Sequence, residues 1–172
     1  MRKMVVLAIA LGASFALYAQ AIAQEKAAPA AKKTAGAKKP SHVIVSPADI
    51  KWGDAPPVFQ PGAKMAVLQG DPGKPGLYTI RLKGPDGYKV AAHWHPTTEH
   101  LTVVSGTFYL GMGEKLDETK GTAMGSGAFA TMPAKMHHYA WMKGETEVQV
   151  HGMGPFQLIY VNPADDPSKA KK

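Results

Sequence analysis

His93-Trp94-His95 and Glu99 place two imidazoles and a carboxylate within seven positions of one another. Imidazole nitrogens and carboxylate oxygens are donors that a protein offers a divalent transition metal, so this cluster reads as half of a metal site. Gly84-Pro85-Asp86-Gly87 ahead of it is a turn signal, and Tyr88-Lys89-Val90-Ala91-Ala92 leaves that turn as a strand. Residues two apart on a strand share a face. His93 and His95 should therefore point the same way, with Val90, Ala92 and Trp94 packed on the opposite side. Glu99 returns from the bend Pro96-Thr97-Thr98.

The elements that must hold these side chains are short strands. With 172 residues the chain suffices for one domain with a sizeable core and is too short for two. Its 14 prolines and 18 glycines end most apolar runs before a helical period can establish itself, which predicts a mostly β protein. Strands are expected over His42 to Val45, Met65 to Leu68 and Leu77 to Lys83, where Tyr78, Ile80 and Leu82 alternate with Thr79, Arg81 and Lys83. Further strands are expected over Leu101 to Leu110, Gly121 to Met124, Ala128 to Met132, Val148 to Val150 and Phe156 to Val161. Turn-forming clusters at 70–76, 111–114 and 125–127 separate them. Eight to ten short antiparallel strands in one domain suit a double-sheet roll or a small barrel.

The N-terminal residues read as an address. Arg2 and Lys3 precede an apolar stretch from Val5 to about Ala19, and Ala21-Ile22-Ala23 has the small residues a signal peptidase reads. Residues 1–23 are expected to be a signal peptide cleaved after Ala23, which implies a periplasmic or secreted protein with no integral membrane segment left after cleavage. The absence of cysteine excludes disulfides and lipoprotein anchoring. Residues 24–41, rich in Ala, Lys and Pro, read as a flexible tether, with 42–166 as the folded domain and 167–172 as a basic tail. The formal charge of +7 belongs to the ends: residues 42–168 carry ten Lys and Arg against twelve Asp and Glu. A nucleic-acid partner is not expected, because a binding domain should carry a basic face of its own.

Gly87, five residues, His93-x-His95, three residues, Glu99, six residues and Gly106 resembles the first signature of the cupin superfamily without a gap. The second signature of that superfamily is matched at Gly127, Pro133 and His138, while Lys135 stands where the motif has glycine and Met142 where it has asparagine. The resemblance covers roughly Leu77 to Val161. It implies an all-β fold, the cupin-type double-stranded β-helix or jelly-roll barrel, with one divalent transition metal (Fe, Mn, Zn, Ni or Cu) held by His93, His95, Glu99 and His138. Four protein ligands on an octahedral metal leave two positions for water, dioxygen or a chelating substrate. The same resemblance makes a homodimer paired through outer strands the expected assembly.

Neighbouring side chains on extended backbone face opposite ways, so only one of His137 and His138 should reach the metal. Motif spacing selects His138, with His137 as the fallback and Ala140 and Met142 on the face of His138. His100 should face away from Glu99. His151 is open between a role beside the cavity and a structural role at a turn, and His42 lies near the tether. Trp94 and Trp141 stand close enough to the ligands to line a pocket. Met132, Met136, Met142 and Met153 could be soft ligands for copper, although core filling explains them better.

A zinc-protease motif is ruled out, because His95 to His100 has one residue too many for His-x-x-Glu-His and carries Pro96 where a helix is needed. No Gly-x-Ser-x-Gly elbow occurs. The expected function is an exported mononuclear metal-binding cupin acting on a small molecule, with a dioxygenase-like reaction first. Metal-dependent isomerase or lyase chemistry, or a non-catalytic metal or small-ligand binding or sensing module, stands as the alternative.

Overall fold

The computed structural model describes residues 42–169. Nine strands follow in chain order: β1 (Gly53–Asp54), β2 (Lys64–Gln69), β3 (Gly76–Gly84), β4 (Lys89–Trp94), β5 (Glu99–Met112), β6 (Thr122–Met124), β7 (Phe129–Met132), β8 (His138–Gly154) and β9 (Ile159–Tyr160). All pairings are antiparallel. The two long strands, β5 and β8, pair with each other from Glu99↔Gly152 to Met112↔His138 and run through both walls of the roll.

One wall is built on the first half of β5 and the second half of β8, flanked by β7 on one side and by β3, β2 and β1 on the other. The other wall is built on the remaining halves, flanked by β6 and by β4 and β9. Each long strand must therefore turn from one wall into the other. In β5 the register shifts on both sides of Ser105, and Gly106 adopts a left-handed φ of 78°. A Cβ on Gly106 would stand 2.4 Å from the Glu145 carbonyl and 2.5 Å from Thr146 Oγ1, so only glycine fits. Opposite it, Gly144 has φ 71° and the buried Thr146 hydroxyl accepts from Thr107 N at 3.1 Å, which satisfies the backbone at the bend.

Alternation places the core. In β3, Tyr78 and Ile80 are buried while Thr79 and Arg81 face outward, and Val103, Val148, Val150 and Met132 meet Ile80 between the walls. Burying each such side chain stabilises the fold by about 1.5–3 kcal/mol. Ala92, Tyr139 and Trp141 form a separate apolar cluster on the outer side of the second wall, where Tyr109 stacks on Trp141 at 4.8 Å.

Several expectations need correction. Residues 42–45 form no strand; Val43, Ile44 and Val45 are exposed and pair with nothing in the ladder. Val148 to Val150 is a fragment of the 17-residue β8, which runs on through a left-handed Gly144. Phe156 to Val161 shortens to the two residues of β9. The expected signal peptide (1–23) and tether (24–41) lie outside the described residues, as do the last three residues of the basic tail; Pro167–Lys169 forms a 3-10 turn. No helix among the described residues is long and apolar enough to cross a membrane.

Candidate metal centre

His93 lies on β4 directly opposite His138, the first residue of β8, and His95 follows one residue beyond β4. Glu99 opens β5 in the facing wall. All four are buried, at 5%, 4%, 7% and 2% relative exposure for His93, His95, Glu99 and His138. Among the described residues, His93, His95 and His138 form the one group of three or more potential metal donors whose ligand atoms lie within 4.8 Å of one another. Glu99 Oε2 stands 3.5 Å from Nε2 of both His95 and His138.

The tautomers follow from what each ring touches. Nδ1 of His93 is 2.7 Å from the Ala91 carbonyl, Nδ1 of His95 is 2.6 Å from that of Gln157, and Nδ1 of His138 is 2.9 Å from that of Met136. A carbonyl oxygen only accepts, so each Nδ1 carries the proton and each Nε2 presents a lone pair. Nε2 of His95 and of His138 is buried with no hydrogen-bond partner. A buried polar atom left unpaired costs about 1–3 kcal/mol, a cost that a bound cation would offset.

Charge points the same way. Burial, then the neighbouring His138 and His95, hold the His93 imidazole well below its ordinary pKa, and burial also lowers that of His95. Burial alone would push the Glu99 carboxyl up, but the positive charge that His138 and His95 beside it take on when protonated outweighs this and holds it below the usual carboxylate range. Neutral imidazole lone pairs around a carboxylate in an apolar interior make a set with one negative charge, which fits a divalent transition metal. Oriented Nδ1–H groups on backbone carbonyls are also the usual outer support of metal-binding histidines.

Around these residues lies a cavity of about 50 Å³ whose remaining walls are mainly apolar, including Phe59, Leu101, Phe108, Met142 and Phe156. It has room for one or two water-sized groups beside the donors. Val90 lines it together with His93, against the expectation that they face opposite ways. The cause is a β-bulge: β4 spends three residues from Val90 to His93 where β8 spends two from Ala140 to His138. Ala140 and Met142 share the His138 side as expected, and Tyr139 faces the outer cluster. Neither Trp94 nor Trp141 lines the cavity; Trp141 packs outside with Tyr109 and Tyr139.

His137 points out of the barrel, with Nδ1 3.7 Å from Glu114 and a side chain 36% exposed. His100 and His151 stack on each other on the outer face and stay outside the cavity. Met132 and Met142 fill the core, whereas Met136 and Met153 are exposed, so core filling accounts for only two of these four methionines.

Three contributors carry no local sequence signal. The Gln157 carbonyl orients His95 from 62 residues away, Phe156 stacks on the His95 ring at 5.2 Å, and Tyr78 lies close enough for burial and the Glu99 charge to push its phenol up. Lys135 was legible as a departure from glycine. It is the one described non-glycine residue with positive φ, at 66°, and its N–H donates to the His95 carbonyl at 2.8 Å. The second motif thereby buckles onto the first.

No curated protein matches this chain. Solved structures share its fold at low identity. The polyketide cyclase RemF from Streptomyces resistomycificus aligns with a TM-score of 0.62 at 15% identity, over 75% of this chain and 92% of that one. A candidate acetylacetone dioxygenase from Methylibium petroleiphilum aligns with a TM-score of 0.58 at 19% identity, over 77% and 90%. An RmlC-like cupin from Shewanella frigidimarina aligns with a TM-score of 0.51 at 15% identity, over 66% and 91%. The strand order, the curled antiparallel walls and these neighbours identify the fold as a cupin. The pattern of the family described as "Domain of unknown function (DUF4437)" matches residues 20–159, and this cupin-fold chain belongs to that family.

Proposed function

We propose that this chain is an exported cupin enzyme that holds one divalent transition metal with His93, His95, Glu99 and His138 and carries out dioxygen chemistry on a small molecule. The observation that carries the reading is the convergence of His93, His95 and His138, with Glu99 beside two of them, in a buried apolar cavity. Such a metal supplies Lewis acidity and, if redox-active, electrons to dioxygen. The chain's own part is to fix three Nε2 lone pairs through the carbonyls of Ala91, Gln157 and Met136, to place one carboxylate beside them, and to exclude bulk water with Phe59, Phe108 and Phe156.

Within that reading, oxygen chemistry is favoured over isomerase or lyase chemistry by what lines the cavity. Outside the donor cluster its titratable groups are Lys83 and Tyr88. The Lys83 ammonium sits over the Trp52 ring at 4.8 Å, and the Tyr88 hydroxyl donates to the Gln60 carbonyl at 2.8 Å. Neither is free to take a proton from a substrate, and proton-transfer catalysis needs such a base within reach. The likeness to a candidate acetylacetone dioxygenase, a likeness of fold, supports testing a small β-diketone first. The signal-like residues Arg2 to Ala23 support export.

The test is elemental analysis of the protein purified without a metal-binding tag, followed by oxygen uptake with acetylacetone after loading with iron(II). About one iron or manganese per chain and substrate-dependent oxygen consumption are expected. Bound metal with no oxygen uptake across a set of small chelating substrates would turn the reading to isomerase, lyase or non-catalytic binding. A chain that takes up no metal even after reloading would overturn it.

A further inference from the structure

Outside the barrel, back to back with the buried cluster, the structure assigns a second metal site of different chemistry: His100, His151 and Met153 form an exposed soft-ion site suited to copper(I). Glu99 and His100 are neighbours on β5 and so project to opposite faces. His100 is the register partner of His151 on β8, and the two rings lie nearly parallel, 5.0 Å apart with 12° between planes. Directly opposed residues on antiparallel strands have Cβ atoms about 4.5–5.5 Å apart, a span that lets two imidazoles turn their edges onto one ion.

The His100 ring is held from two sides. Phe129 stacks on it at 6.1 Å and 16°, and Nδ1 is 2.8 Å from Thr131 Oγ1, which leaves Nε2 as the donor to a ligand. Met153 lies two residues beyond His151 on the same face of β8, and its backbone carbonyl accepts from Thr97 Oγ1 at 3.0 Å. Its side chain is 51% exposed where Met132 and Met142 are buried, so packing does not explain it. Diagonal neighbours across an antiparallel pair lie within reach of a long side chain.

The donor set chooses the ion. His100, His151 and Met153 line one surface cleft with Leu77, Thr97 and Ala134, and no carboxylate lines it. Two neutral imidazoles and a thioether provide no negative charge to offset a hard divalent ion, and thioether sulfur selects copper(I). The buried cluster differs in the one respect that matters, since Glu99 supplies a charge there. Neither site requires the other.

The test is anaerobic titration of the full chain with copper(I) against a chromophoric competitor, read as equivalents bound and as sulfur scattering in the copper X-ray absorption spectrum. His138→Ala, which disables the buried cluster, should retain one copper(I) equivalent with a sulfur neighbour. His100→Gln/His151→Gln should lose that equivalent while still loading iron(II) or manganese(II) in the interior. Met153→Leu, which conserves side-chain volume, should weaken copper(I) by about tenfold, the lower end of what supporting partners of a metal are worth, and remove the sulfur signal. Sulfur-ligated copper(I) retained by the His100/His151 variant, its loss in His138→Ala, or copper(I) bound without a sulfur neighbour in the wild type would each overturn the site. Failure of the interior to take iron or manganese would leave it standing.

Discussion

His93 and His138 face each other across the β4–β8 ladder, with ring centroids 4.2 Å apart and planes inclined at 61°. Strand pairing sets that contact, so the two nitrogens are positioned before any ion arrives. His95→Ala or His138→Ala should lower affinity for a divalent metal by at least about 100-fold, since even outer partners of metal ligands are worth 10–100-fold. Elemental analysis after dialysis checks this, and unchanged metal content in either variant would count against the ligand assignment.

Removing the metal should also lower stability. A ligand that binds only the folded state stabilises it by about 2.7 kcal/mol when present at 100 times its Kd. Thermal unfolding with and without a strong chelator should show a higher Tm for the loaded protein. In His138→Ala the chelator should shift Tm far less.

Lys135 holds a left-handed conformation, φ 66°, that costs a side-chain-bearing residue about 1–2 kcal/mol. Lys135→Gly relieves that strain, and the greater freedom of glycine in the unfolded chain returns about 0.4–1 kcal/mol of it. The expected result is a net stabilisation between about 0 and 1.6 kcal/mol, read as a small rise in denaturation midpoint at unchanged slope. A clear fall in midpoint would show that the Lys135 side chain supports the turn.

Gly106→Ala should do the opposite. The added methyl meets Glu145 and Thr146 at a left-handed position, where strain costs about 1–3 kcal/mol before the clash is counted. Because Gly106 sets the bend that carries β5 from the Glu99 wall to the wall of His93 and His138, metal affinity should fall together with stability.

Burial raises the Tyr88 phenol to about 12, and burial likewise pushes up Tyr78 and Tyr160. A folded-state pKa above the unfolded value near 10 means the fold favours the protonated phenol. This contribution is fully present below pH 10 and is lost as pH rises from about 10 towards 12. Tyr88→Phe should flatten the alkaline fall in Tm relative to wild type. An identical fall would place the loss elsewhere.

By itself the sequence determined what depends on spacing along one chain. The turn glycines Gly87, Gly106 and Gly127 all prove to be left-handed, and the period-2 pattern of Tyr78, Ile80 and Leu82 defines a strand with one buried face. His-x-His followed by a bend brings Glu99 back to His95 at 3.5 Å, a local consequence of strand and turn geometry. Tertiary structure decided what depends on partners distant in sequence. The bulge that puts Val90 and His93 on one side exists only against β8, and the ladder turns inward the His138 that motif spacing had already chosen, leaving the fallback His137 outside. The Gln157 carbonyl that orients His95 is a backbone atom, which any residue could supply, so no residue type announces it. Even the continuity of β8 through Gly144 was settled from outside, by β3, β4 and β5 pairing along its edges, because hydrogen bonding to a neighbour can hold a bend that local preference alone would read as an end.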